Sequence, residues 1–143
     1  MNLDQALAIA VAAHAGQKDK VGQPYILHPL RIMHRMATDE ERMVAVLHDV
    51  VEDSDVTLDD LCRAGFSPAI VEAVDALTRR EGETYDLYVA RTAYLPLAKR
   101  VKVADLEDNM DLRRRWHLEE RDRERMNRYR RAYRFLTGRE ADG

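Results

Sequence analysis

Cysteine is almost missing from the 143 residues: Cys62 stands alone, which excludes an internal disulfide framework and a cysteine-rich zinc site. No apolar run approaches the roughly 20 residues of a membrane span. The opening residues MNLDQALAIAVAAHAG place an acid where a signal peptide carries basic side chains. Internal repeats, low-complexity tracts and flexible linkers are also missing. These absences predict a soluble protein of a reducing cytoplasm with no membrane partner. The length fits one domain, which can bury roughly 70% of its unfolded surface and needs no metal or disulfide to fold.

Charge is present but unevenly placed. The net charge is −3, yet residues 1–112 carry 12 basic and 20 acidic side chains, whereas residues 113–143 carry 11 and 6. All the basic residues of the second stretch are arginines. Acids and arginines alternate from Glu119 to Arg134 within one helical pattern, the mark of a solvated, salt-bridged face. No aromatic interleaving or base-reading motif accompanies them, so a nucleic-acid polymer is not the expected partner.

The punctuation reads as helices joined by short turns. Asn2 with Gln5 makes a capping box for a helix ending near Gly16, and Thr38 with Glu41 makes another for a helix through Asp53. Gln17 to Leu27 holds Gly22 and Pro24 and reads as a loop. His28-Pro29, Thr57 and Ser67-Pro68 open further helices, and Gly82 and Pro96 bracket another. One more starts near Leu97, and a last one runs from about Glu119 to Leu136. No segment sustains apolar/polar alternation, so the expected fold is all-α, a single helical bundle of about seven helices.

Three clusters could carry chemistry. His28 lies in PYILHP; His48-Asp49 and Glu52-Asp53 lie in MVAVLHDVVED; Asp105, Asp108 and Asn109 lie in VKVADLEDNM. Spacings of three and four put the four side chains of the second cluster on neighbouring faces of one helix. Three carboxylates and an imidazole on an apolar helix are costly unless compensated. A divalent cation would compensate them; the alternative is a helix that ends in acids because it has reached the surface. His14, His34 and His117 lack such surroundings and read as surface or packing histidines.

His28, then His48-Asp49, then Asp105 resembles the H…HD…D pattern of the HD-domain metal-dependent phosphohydrolases. HAGQKDKVGQPYILHP, VLHDVVEDSDVTLDDL and VKVADLEDNM resemble more closely the hydrolase domain of the RelA/SpoT-type enzymes, over residues 14–110. The resemblance implies one all-helical HD domain over 1–143 that removes pyrophosphate from the 3′ position of ppGpp and pppGpp with manganese. It implies His28, His48, Asp49 and Asp105 as metal ligands, Glu52 and Asp53 as the acidic pair handling the attacking water, and Asn109 as a substrate contact. The length leaves no room for a synthetase domain, so the likeness is to free-standing small alarmone hydrolases. Two imidazoles and two carboxylates suit such an ion and leave positions open for water and a phosphate oxygen. A polyphosphate also needs cations, for which Lys18, Lys20, Arg79, Arg80 and Lys102 are candidates.

Two positions depart from the family pattern. Asp19 stands where the family carries an arginine that packs on guanine, and Leu106 stands where Asp-Arg-x-x-Asn has its arginine. Both changes are expected to remove positive charge from the substrate's surroundings. An HD phosphohydrolase of another nucleotide, phosphomonoesterase or pyrophosphatase, is therefore the second reading. A catalytically silent nucleotide-binding module is the third, and it would be marked by loss of a ligand or of the acidic pair; neither is lost. The stretch beyond residue 112 is open to packing on the core or to homo-oligomer formation.

Overall fold

The computed structural model describes residues 1–139, so the last four residues of the Arg-rich stretch lie outside it. The described residues form nine α-helices: α1 (Leu3–Ala13), α2 (Leu27–His34), α3 (Asp39–Leu47), α4 (Val50–Asp53), α5 (Leu58–Ala64), α6 (Pro68–Leu77), α7 (Tyr85–Thr92), α8 (Pro96–Asn109) and α9 (Glu120–Thr137). A 3-10 turn spans Leu112–Arg114. Among the described residues the only extended pairing is the isolated bridge between Lys18 and Pro24. The class is all-α, as expected.

The capping signals act where the sequence puts them. Asn2 with Gln5 and Thr38 with Glu41 each form the reciprocal pair of side-chain-to-backbone bonds, and Thr57 with Asp60 forms a third. Ser67 caps α6 ahead of Pro68 at its start.

The helix expected through Asp53 is two helices, α3 and α4. His48 donates from Nδ1 to the Ala45 carbonyl at 2.6 Å. That carbonyl is the one a continuing helix would offer to the Asp49 N–H. The imidazole takes it, α3 ends, and Asp49 turns to φ −106°, ψ −1° before α4 begins. His48 and Asp49 therefore sit on a turn, not on one face with Glu52 and Asp53.

α3 is the central helix, packed by α1, α2, α6 and α8. Val44, Ala45, Val46 and Leu47 have no exposed surface. Burying each valine or leucine there contributes roughly 1.5–3 kcal/mol. This apolar anchor holds the His48-Asp49 turn at its end. A second apolar cluster joins α7, α8 and α9 through Tyr88, Val89, Leu106, Ala132, Tyr133 and Leu136. The C-terminal helix thus packs on the body of the fold. Its outer face is laced by pairs such as Arg121 with Glu119 (3.0 Å) and Arg131 with Asp86 (3.2 Å).

Candidate metal centre

Two histidines meet at the end of α3. The rings of His28, on α2, and His48 lie 5.5 Å apart, edge to face, and both residues are buried. Each has its Nδ1 engaged away from the other: His48 donates to Ala45, and His28 donates to Asp108 Oδ2 at 2.7 Å. Both Nε2 atoms face carboxylates. His28 Nε2 lies 2.9 Å from Asp105 Oδ1 and 3.9 Å from Asp49 Oδ2; His48 Nε2 lies 3.0 Å from Asp49 Oδ2 and 3.6 Å from Asp105 Oδ1. His28, His48 and Asp49 each offer a donor atom within 4.8 Å of the others, a spacing that can hold one ion.

The donor set fits a divalent cation. His48 Nε2 is buried and close to an Asp49 oxygen, yet no atom is aligned with it as a hydrogen-bond partner. A buried imidazole nitrogen without a bond is costly, and a metal ion would satisfy it. An Nδ1 anchored on a carbonyl or carboxylate, with Nε2 turned to the ion's place, is the usual arrangement of metal-bound histidine.

The electrostatics agree. Burial disfavours a charged His28, but its bonds to Asp105 and Asp108 prevail and raise its pKa. His48 is raised further, as Asp49 and Asp105 overcome a complete burial. Burial pushes the Asp49 carboxyl up, yet the adjacent His48 holds it down to about 2. Asp49 also accepts a bond from the Tyr25 hydroxyl. Two acids concentrated here draw positive charge from whatever source is at hand.

The other predicted residues divide. Glu52 lines the same cavity, and its Oε1 accepts from the Arg79 backbone N–H. Burial first, then the charges of Asp49 and Asp53, raise its pKa. Asp53 is exposed and does not line the cavity. Asn109 donates to Asp105 Oδ1 at 3.2 Å and lines the cavity.

Lys18 and Lys20 stand exposed at the cavity's lip. Lys102 is not a free cation: it is 5% exposed, 2.9 Å from Asp105 Oδ2 and 4.8 Å from the Tyr88 ring centroid. Arg80 lies outside the cavity and pairs with Asp75 at 3.5 Å, while Arg79 stays on its wall. His34 and His117 are exposed; His14 is buried against Tyr25, its Nδ1 2.8 Å from Gln17 Oε1.

The cavity measures about 390 Å³. Another part of its wall comes from residues the sequence did not single out: Arg114 and Arg115 after α8, and Arg125, Met126 and Tyr129 on α9. Lys20 faces that wall, and its pKa is lowered by burial and by the charges of Arg125 and Arg115. Asp122 tempers the cluster, 3.2 Å from Arg115 and 3.3 Å from Arg125.

The departures take on different weights. Leu106 has no exposed surface and packs in the cluster of α7, α8 and α9. A leucine there removes no charge from the cavity, contrary to expectation, because the position faces the core. Asp19 does line the cavity, but its Oδ1 accepts from the Val21 and Gln23 N–H groups at 3.0 and 2.9 Å. The acid is employed in shaping its own turn.

Known proteins can be set beside this geometry. The family model described as HD domain matches residues 6–86. The chain is 43% identical over 81 residues to a guanosine-3′,5′-bis(diphosphate) 3′-pyrophosphohydrolase of Vibrio cholerae, covering 54% of this chain and 11% of the relative. It is 30% identical over 120 residues to the protein of the same name from Aquifex aeolicus, covering 76% and 17%. A GTP pyrophosphokinase of Streptomyces coelicolor is 35% identical over 118 residues, covering 76% and 14%. The chain spans less than a fifth of the length of each of these relatives. A solved structure of a metazoan ortholog of SpoT, described as hydrolysing ppGpp, matches with a TM-score of 0.80 over 97% of this chain and 87% of that one. The two are 24% identical, so the likeness is one of fold.

Proposed function

The chain belongs to the HD domain family, and from that premise we propose that it is a metal-dependent phosphohydrolase that removes the 3′-pyrophosphate of (p)ppGpp, leaving GDP or GTP. The observation that carries the reading is the meeting of His28, His48, Asp49 and Asp105 at a cavity that Lys18, Lys20, Arg114, Arg115 and Arg125 also line.

His28, His48, Asp49 and Asp105 would hold the ion, for which we propose manganese. Bound there, it supplies Lewis acidity toward a phosphate oxygen and lowers the pKa of water beside it. The remaining tasks fall to the chain. Glu52, steadied by the Arg79 N–H, takes the proton of the attacking water; its raised pKa makes it a better base than an ordinary glutamate. Asp53 acts through Glu52, adding the negative charge that helps raise it. Tyr25 orients Asp49, and Lys102 balances the Asp105 oxygen turned away from the histidines.

The substrate's phosphates would lie between Lys18 and Lys20 on the lip and Arg114, Arg115 and Arg125 on the wall. Lys20 is repelled by Arg115 and Arg125, and a polyanion relieves that repulsion. Asn109, already bonded to Asp105, is placed to contact the nucleotide beside the ion.

A second reading, the same hydrolysis on another nucleotide, is favoured by Asp19, which puts an acid on the cavity's lip. Separating the products from ppGpp, GTP and dGTP by anion-exchange chromatography decides between the two. Pyrophosphate and GDP from ppGpp support the first; orthophosphate, or turnover of the triphosphates alone, supports the second. Asp19→Asn keeps the turn's acceptor oxygen and deletes the charge. It is expected to lower the KM for a polyphosphate by roughly twofold to fivefold, the scale of one screened charge interaction of about 0.5–1 kcal/mol. Steady-state kinetics at low salt check this, and an unchanged KM removes Asp19 from the substrate's surroundings.

A further inference from the structure

Neither the ligand set nor the acidic pair gives a part to Asp108, although it shares a cluster with Asp105 and Asn109. Its side chain is 1% exposed and holds three partners. His28 Nδ1 donates to Oδ2 at 2.7 Å. Arg31 donates as a fork, from Nε to Oδ1 at 2.8 Å and from Nη2 to Oδ2 at 3.0 Å. Arg114 donates to the Asp108 backbone carbonyl at 3.0 Å and stands 3.6 Å from Oδ2.

Resting on the metal reading above, we infer that Asp108 is a positioning residue that aims His28. A carboxylate bound to the far nitrogen of a histidine fixes its ring plane and its tautomer, and makes the near nitrogen a stronger donor. With a proton held on Nδ1, Nε2, which lies 2.9 Å from Asp105 Oδ1 and 3.9 Å from Asp49 Oδ2, is left as the nitrogen that would give its lone pair to an ion between those acids. Arg31 in turn fixes the carboxylate, because a bidentate fork allows one orientation. His48 has only the neutral Ala45 carbonyl in the same place, so the two ligands differ in basicity. The competing account is that Asp108 merely ties α2 to α8 through Arg31. That account predicts that either end of the pair matters equally to the metal.

The test is Mn²⁺ affinity, read from the electron paramagnetic resonance signal of the free ion during titration, with folding checked by circular dichroism. Asp108→Ala is expected to weaken binding by about 10- to 100-fold, the range found for loss of such partners. Asp108→Asn is expected to fall between wild type and Asp108→Ala, because its amide oxygen still accepts from Nδ1 and aims the ring but no longer supplies the charge that strengthens the donor. Arg31→Gln is expected to lower Tm with a smaller loss of affinity than Asp108→Ala. If the alanine variant does not fold, Asp108→Leu combined with Arg31→Met removes both ends of the pair and should show the same weakening. Equal losses in Asp108→Ala and Arg31→Gln, or none in Asp108→Ala, would overturn the inference while leaving the metal reading intact. A wild-type protein that binds no Mn²⁺ would overturn the metal reading itself.

Discussion

Asp49→Ala is expected to lose divalent-metal binding and to bring turnover down to background. Asp49 is the acid nearest His48, 3.0 Å from its Nε2, and lies 3.9 Å from His28 Nε2. Its carboxyl, held down to about 2 by His48, is ionised at any working pH. Its removal cuts the ligand charge from −2 to −1 and leaves the Tyr25 hydroxyl without its acceptor. Loss of a direct ligand should exceed the roughly 10- to 100-fold drop in affinity that follows loss of an outer partner. Isothermal titration with Mn²⁺, alongside an assay of pyrophosphate release, checks both halves. Unchanged turnover in a folded Asp49→Ala protein would contradict the assignment.

The second large effect separates chemistry from binding. Glu52→Gln is expected to keep the metal and the substrate affinity while kcat falls by about 10²- to 10⁴-fold, the usual contribution of a positioned general base. The amide oxygen can still accept from the Arg79 N–H, so the local structure survives. The pH profile supplies a second readout. Burial raises the Glu52 carboxyl above its ordinary 4.5, and a base works only when deprotonated. Activity therefore falls as pH drops through that raised value, and the glutamine variant loses this acidic limb. A Glu52→Gln enzyme with wild-type kcat, or one that retains the limb, would show that another group takes the proton.

What could be read from the chain was what local rules decide. Asn2, Thr38 and Ser67 announce their helices because each satisfies backbone donors within three residues. The break before α4 escaped the spacing argument because it depends on where the His48 ring turns. Counted along a helix, His48 and Glu52 share a face; once Nδ1 takes the Ala45 carbonyl they do not. The histidines and acids that meet at the end of α3 were legible as candidates through residue type and order. Their convergence, across separations of 77 residues between His28 and Asp105, is a property of packing.

The cationic wall was hidden for the same reason. The alternation of acids and arginines on α9 reads as a solvated face, and most of it is one. Which arginines turn inward follows from the seating of Ala132, Tyr133 and Leu136 on α7 and α8. Lys102 shows the converse. Sequence makes it a cation available to phosphate, and burial beside Asp105 makes it a fixed counter-charge. Tyr25 sits three residues before His28, and only the fold brings its hydroxyl to Asp49.

The most direct test of the whole account is pyrophosphate release from ppGpp by chelator-treated protein titrated with Mn²⁺. The account predicts no release before metal is added, then release that rises with Mn²⁺ and saturates at one bound ion per chain. Release that proceeds undiminished in the presence of excess chelator would contradict it.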